Sequence, residues 1–121
     1  MLKKILVCDD ELHILQAIGR VVREEGYGLL TAEDGEQGLQ LARAEMPDLV
    51  LLDVMMPKMS GFEVCRELKS DPSTARIHII LLTAMGQKRD MQEGSQCGAN
   101  DYMTKPFSPR KLRMTLHDLL D

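Results

Sequence analysis

Residues 5–10 read Ile-Leu-Val-Cys-Asp-Asp, an unbroken apolar run that ends on two acids. Two further runs have the same form: residues 49–53 read Leu-Val-Leu-Leu-Asp, and residues 79–83 read Ile-Ile-Leu-Leu-Thr. Short apolar runs without alternation are typical of strands buried on both faces, as in parallel sheets. Each run therefore predicts a parallel strand whose carboxyl end carries an acid or a hydroxyl group.

Helical patterns lie between these runs, so strand and helix alternate five times along the chain. Alternation of this kind predicts an α/β fold with a doubly wound parallel sheet and helices on both faces. The predicted strands are 3–9, 28–33, 48–53, 77–83 and 100–104. The predicted helices are 11–25, a second that follows a turn at 34–35 and runs to 45, then 62–69, 86–97 and 109–120.

The polar residues at the strand ends predict a common site. Open parallel sheets bind ligands at the carboxyl ends of their strands, where Asp9, Asp10, Asp53 and Thr83 would meet, joined by Lys105. Three clustered carboxylates repel one another unless a cation lies among them, and Mg²⁺ prefers oxygen ligands. A carboxylate beside Mg²⁺, a lysine and a hydroxyl group is well placed to accept a phosphoryl group.

Length and charge limit the function classes. The 121 residues fit one domain over 1–121, and the last predicted helix uses up the chain, so we expect no output domain within it. With 15 basic and 19 acidic residues the net charge is −4, which argues against direct nucleic-acid binding. No apolar stretch approaches the length of ~20 residues that a membrane-spanning helix needs. The sequence also predicts no signal peptide. We therefore expect a cytoplasmic protein without membrane contact.

The three cysteines do not predict a zinc site or a disulfide framework. Their number is odd, and Cys8, Cys65 and Cys97 are too far apart in sequence for a CxxC pair. We expect Cys8 and Cys65 to be small buried hydrophobic residues and Cys97 to be partly exposed.

Four segments together resemble the receiver domain of two-component response regulators, as in chemotaxis regulators, over essentially the whole chain. The resemblance implies the flavodoxin-like strand order 2-1-3-4-5, which places the first strand beside the third. The matching segments are, in order, Asp9–Glu11, Asp53–Gly61, Leu82–Ala84, and Gly98–Tyr102 leading to Lys105–Phe107.

The resemblance also implies how the acids would act. Asp53 would accept the phosphoryl group as an acyl phosphate and would be one of the Mg²⁺ ligands. Asp10 would bind Mg²⁺ directly, and Asp9 mainly through a bound water molecule. The third protein ligand would be the backbone carbonyl of Met55, for which the methionine side chain is no obstacle.

Further roles concern the phosphoryl group and the response to it. The Thr83 hydroxyl and the Ala84 backbone N–H would donate hydrogen bonds to it, and Lys105 would pair with Asp53 and later with a phosphoryl oxygen. Tyr102 would swing inward as Thr83 moves, which would alter the surface of the fourth helix, fifth strand and fifth helix. The family also implies a cis peptide bond between Lys105 and Pro106.

Partners follow from the same resemblance. The phosphoryl donor would be a sensor histidine kinase or a phosphotransfer protein. The signal would pass from this chain to a downstream output domain or effector protein. The chain would be a regulatory switch rather than an enzyme, because it would catalyse only its own phosphorylation and dephosphorylation.

Three other interpretations of the sequence remain. A phosphatase of the haloacid dehalogenase type shares Mg²⁺ and an aspartate nucleophile, but it needs a second acid where this chain has Met55. A flavodoxin needs a Ser/Thr/Gly-rich phosphate loop where this chain has Asp9–Glu11, the electrostatic opposite. A degenerate receiver used as a scaffold would lack a key residue, and none is missing.

Overall fold

Strands and helices alternate along the part of the chain that the computed structural model describes, residues 2–84, 96–105 and 107–121. The strands are β1 (Lys4–Cys8), β2 (Gly28–Ala32), β3 (Leu49–Asp53), β4 (His78–Ala84) and β5 (Asp101–Lys105). The helices with bounds in these ranges are α1 (Leu12–Glu24), α2 (Gly35–Glu45), α3 (Gly61–Ser70) and α4 (Pro109–Leu120). Of the helix predicted over 86–97, residues 96 and 97 are helical and the rest lies outside the described residues.

The five strands form one parallel sheet in the order β2-β1-β3-β4-β5, which confirms the expected fold class and order. Ile5 lies opposite Leu49 and Cys8 opposite Leu52, so β1 and β3 end at the same edge of the sheet. Asp53 of β3 lies opposite Leu82 of β4. The sheet therefore brings the acids that follow β1 and end β3 to one edge, next to the end of β4.

Each face of the sheet carries its own apolar layer, because successive side chains of a strand point to opposite faces. In β1, Leu6 and Cys8 pack with α2 and α3, whereas Ile5 and Val7 pack with α1 and α4. All five residues of β3 are buried. Burial on both faces explains why β1 and β3 read as continuous apolar runs rather than as alternating ones.

All three cysteines are reduced and buried. Cys8 and Cys65 are fully buried, as predicted from their apolar surroundings. The prediction for Cys97 is wrong: its exposed fraction is only 3%. The residue ends the polar helix predicted over 86–97, but it packs into the layer that contains Cys65 and Leu68. A polar local sequence could not reveal that tertiary contact.

Two glycines hold the loop between β3 and α3 against its neighbours. The Gly61 N–H donates to the Val54 carbonyl at 3.1 Å, and a Cβ atom at Gly61 would lie 2.2 Å from the carbonyl oxygen of Asp53. A Cβ atom at Gly35 would lie 1.9 Å from the carbonyl oxygen of Met59. Only glycine permits these approaches, so the loop that follows Asp53 has a defined path.

A polar cluster joins the end of α1 to the end of α4. The Tyr27 hydroxyl donates to Asp121 at 2.8 Å. His117 Nδ1 faces the Asp121 carboxylate, and His117 Nε2 faces the Glu25 carboxylate. These hydrogen bonds to Asp121 and Glu25 raise the pKa of His117. Arg113 adds a second cation at 3.6 Å from Glu25. The cluster therefore stabilises the protonated form of His117.

None of the helices in the described ranges is both long enough and apolar enough to cross a membrane.

We expect the variant Gly61→Ala to be destabilised by about 1–3 kcal/mol, because the new methyl group would overlap the Asp53 backbone. Chemical denaturation monitored by circular dichroism measures this. Gly28→Ala is the matched control, since its Cβ atom would meet nothing closer than 3.4 Å. Equal stability of Gly61→Ala and wild type would contradict the close approach.

We expect His117→Gln to lower the melting temperature below pH 6.5 and to have little effect at high pH. A histidine whose pKa is raised by folding contributes stability that is fully present below its unfolded pKa and lost as pH rises through the folded pKa. Thermal melts across this pH range provide the measurement. The control is His13→Gln, because the His13 side chain is 75% exposed. A pH-independent difference would show that His117 acts by packing alone.

Candidate functional site

Asp9 directly follows β1, and two hydrogen bonds hold it there. Its N–H donates to the Ala32 carbonyl at 3.1 Å, and its Oδ1 accepts from the Glu11 N–H at 3.0 Å. The Asp9 side chain is completely buried, whereas the next residue, Asp10, is exposed. The two adjacent acids therefore occupy different environments, one inside the edge of the sheet and one at its surface.

Asp53, the last residue of β3, completes a cluster of three carboxylates. It is 5% exposed, and the following residue, Val54, donates its N–H to the Leu82 carbonyl at 3.2 Å. One carboxylate oxygen from each of Asp9, Asp10 and Asp53 lies within 4.8 Å of the others. The predicted convergence of the three acids is thus present in the structure.

Lys105, the last residue of β5, supplies a positive charge to this cluster. Its Nζ lies 2.9 Å from Asp53 Oδ1 and 2.9 Å from Asp9 Oδ2. The pairing with Asp53 was expected, but the equally short bond to Asp9 was not. The sequence offers a weak signal for this bond, because both acids lie at the ends of neighbouring strands. It does not indicate which acids a flexible lysine side chain reaches.

Burial and charge shift the acid–base properties of the site. Burial raises the pKa of Asp53 to about 6, with the charges of Asp9 and Asp10 adding to the rise and the Lys105 hydrogen bond opposing it. Burial by itself lowers the pKa of Lys105, but its hydrogen bonds to Asp9 and Asp53 outweigh that effect and raise it. At neutral pH the site therefore combines an ammonium group with carboxylates that repel one another.

The donor set fits a hard divalent cation. When ionised, the three carboxylates of the cluster outnumber the single ammonium of Lys105. A cation among the carboxylate oxygens would relieve their repulsion, and oxygen ligands are those that Mg²⁺ prefers. Asp9, Asp10 and Asp53 are the residues whose side chains could hold it.

Thr83 lies at the same edge as Asp53, on the adjacent strand. Its side chain is 2% exposed, and it lies opposite Thr104 in the register with β5. Ala84 follows and pairs with Lys105 through the backbone. Leu82 lies opposite Asp53, and Thr83 is the next residue of β4. Thr83 and the Ala84 backbone therefore lie beside the carboxylate cluster.

Two further predicted residues, Met55 and Tyr102, lie in different environments. The side chain of Met55 is exposed, with an exposed fraction of 76%. Tyr102 is half-buried and packs against the layer that contains Cys65 and Cys97. The predicted cis bond between Lys105 and Pro106 lies outside the described residues.

Comparisons with known proteins agree with this geometry. Residues 5–117 match the family model of the response regulator receiver domain. The chain is 46% identical to a probable transcriptional regulator, ycf27, of Cyanophora paradoxa, over 98% of this chain and 48% of that protein. It is 44% identical to the alkaline phosphatase synthesis transcriptional regulatory protein PhoP of Bacillus subtilis, over 99% of this chain and 49% of that protein.

A solved structure shows the same fold. The chemotaxis response regulator CheY4 of Vibrio cholerae superposes with a TM-score of 0.92 at 32% identity, covering 99% of this chain and 100% of that one. The chain spans about half the length of the curated relatives it matches. The match of the family model over nearly the whole chain, together with the carboxylate cluster and its lysine, shows that the chain belongs to the response regulator receiver domain family.

Proposed function

We propose that this chain is a phosphorylation-activated signalling switch in which Asp53 accepts a phosphoryl group. The donor is a phosphohistidine of a sensor histidine kinase or a phosphotransfer protein. The observation that carries the proposal is the position of Lys105, whose Nζ lies 2.9 Å from both Asp9 and Asp53 inside a cluster of three carboxylates. This arrangement places a nucleophile, a cation site and a fixed positive charge at one edge of the sheet.

Asp53 acts as the nucleophile. Its pKa of about 6 leaves it ionised at neutral pH. A carboxylate oxygen attacks phosphorus, a P–O bond forms, and the P–N bond to the donor imidazole breaks with its electron pair returning to that ring. Asp9, Asp10, Asp53 and the Met55 carbonyl would hold Mg²⁺, which would supply charge neutralisation for the transferring oxygens.

The other residues hold the phosphoryl group once it is on Asp53. Lys105 is already within hydrogen-bond distance of the acceptor and moves to a phosphoryl oxygen. The Thr83 hydroxyl and the Ala84 N–H donate to the remaining oxygens. Because Thr83 moves toward the phosphoryl group, Tyr102 shifts inward, and the surface around β5 and α4 changes with it. Such a switch works by shifting a conformational equilibrium.

The protein acts on its partners through this surface. Residues 1–121 form one receiver domain, which signals to an output domain or to a separate effector, without membrane contact and without binding nucleic acid itself. It is a regulatory phosphoacceptor of the cytoplasm, not an enzyme acting on other substrates. The comparisons give no support to the haloacid dehalogenase alternative.

We expect acetyl phosphate and Mg²⁺ to add one phosphoryl group to the wild-type chain and none to Asp53→Asn. The reason is that an amide is not a nucleophile for this transfer. Intact-mass spectrometry, with a chelator as the metal-free arm, measures the labelling. Asp48→Asn is a suitable control, because Asp48 lies at the opposite end of β3. Equal labelling of wild type and Asp53→Asn would exclude Asp53 as the acceptor.

We expect Asp10→Asn to weaken Mg²⁺ binding by about tenfold or more, since it removes one carboxylate of the cluster. Isothermal titration calorimetry measures the affinity. The neighbouring variant Glu11→Gln is the control, because its side chain does not belong to that cluster, and we expect near-wild-type binding. If the two variants bind Mg²⁺ equally well, the assignment of Asp10 as a ligand is incorrect.

A further inference from the structure

Two cysteines meet on the far side of the sheet from α1, away from the carboxylate cluster. Cys65 lies in α3, and Cys97 lies in the helical turn that precedes β5. The Cys65 thiol donates to the Cys97 carbonyl oxygen, with 3.5 Å between the two atoms. The interaction between the two side chains shifts the pKa values of both thiols. Two cysteines from distant parts of the chain therefore lie against each other.

The contact makes the two thiols chemically different. The hydrogen bond from Cys65 lowers the pKa of Cys97, and backbone N–H groups of Ala99 and Cys97 and the charge of Arg66 lower it further, although burial opposes them. The same hydrogen bond, together with burial, raises the pKa of Cys65. Thiolates are the reactive form of cysteine, so these directions favour Cys97 as the nucleophile, and the Cys65 thiol uses its proton in the hydrogen bond to the Cys97 carbonyl.

Cys8 lacks these features. It is fully buried, and burial together with the charges of Asp9 and Asp34 raises its pKa to about 12. The contrast is useful, because one chain contains both an activated thiol pair and an inert thiol. Cys97 itself is 3% exposed, and its two neighbours in the chain, Gln96 and Gly98, are exposed.

We propose that Cys65 and Cys97 form a peroxide-sensitive thiol pair that closes to a disulfide between α3 and the segment leading into β5. The function proposed for Asp53 is not needed for this reaction. A hydroperoxide is the oxidant, and the two sulfur atoms lose two electrons in total while the peroxide gains them. Reversible closure is typical of redox-sensing cysteine pairs, in which a thiolate lies beside a resolving thiol.

The reaction has two balanced steps when the oxidant is hydrogen peroxide. First, the Cys97 sulfur attacks a peroxide oxygen; an S–O bond forms, the O–O bond breaks, and hydroxide leaves and takes the thiol proton as water. Second, the Cys65 sulfur attacks the Cys97 sulfenic acid; an S–S bond forms, the S–O bond breaks, and hydroxide leaves with the Cys65 proton as a second water. Two thiols and one peroxide thus give one disulfide and two water molecules.

Closure would act on a segment of the proposed switch. Tyr102 packs against the layer that contains both cysteines, and burial followed by the charge of Cys97 raises its pKa. A disulfide would tie this region of β5 to α3. It would also restrict the unfolded chain, so the oxidised protein should melt at a higher temperature than the reduced protein.

The test exposes reduced wild-type protein, at low concentration, to hydrogen peroxide. Remaining thiols are then alkylated, and the tryptic peptides are analysed by mass spectrometry. We expect the intact chain to lose two hydrogens and peptide 59–66 to become linked to peptide 90–110. Peptide 5–20, which contains Cys8, should remain reduced and alkylated, and it serves as the internal control. Alkylation of all three cysteines, equal oxidation of Cys8, or links found only between two chains would overturn the proposal.

The variant Cys65→Ala separates the two steps. Without the resolving thiol, Cys97 should stop at the sulfenic acid, which dimedone present during the exposure traps as an adduct on peptide 90–110. The variant Cys97→Ala should give no adduct on Cys65. An adduct on Cys65 and none on Cys97 would reverse the assigned roles and overturn the proposal. The wild-type measurement decides the existence of the bond whether or not either variant folds.

Discussion

The ammonium group of Lys105 lies between two buried carboxylates, Asp9 and Asp53, at 2.9 Å from each. Removing charged groups from water is costly unless they are paired, so neither acid would occupy this position without a compensating cation. A single ammonium does not balance three clustered carboxylates, and burial together with their mutual repulsion leaves Asp53 with a raised pKa. The site therefore carries negative charge that Lys105 alone does not neutralise. A hard cation would supply the missing positive charge, and the proposed transfer of a phosphoryl group could use it.

The sheet makes this arrangement possible. Adjacent parallel strands β1, β3 and β4 end at one edge, so residues far apart in sequence come together without long side chains having to reach across the domain. The loop after Asp53 is held by the close approach of Gly61 to the Asp53 carbonyl and of Gly35 to Met59. Fixed backbone around Asp53, the proposed acceptor, limits how far its carboxylate can move. Such preorganisation is what a site needs to position a nucleophile.

The carboxylate edge and the cysteine pair lie in separate parts of the same domain and involve different chemistry. Asp53 is buried on a strand beside a lysine, whereas Cys97 lies next to exposed residues in the chain and its carbonyl accepts a hydrogen bond from the Cys65 thiol. Tyr102 lies on β5, the strand that ends in Lys105, and it packs against the layer containing the two cysteines. The strand thus connects the proposed phosphorylation site with the proposed thiol pair through a single short element.

The sequence by itself determined the strands, most of the helix positions and the set of residues at the site. Continuous apolar runs predicted β1, β3 and β4, because strands buried on both faces need apolar side chains at every position. The identity of the acids followed from their places after those runs, whereas Lys105 was indicated by its position before Pro106 and by the resemblance to a family. The strand order came only from the resemblance to a family, since periodicity contains no information about which strands are neighbours. Tertiary structure alone decided that Lys105 binds Asp9 as well as Asp53 and that Cys97 is buried against Cys65. Both are contacts between segments distant in the chain, and a local pattern cannot specify them because their free energy arises only when the elements pack together.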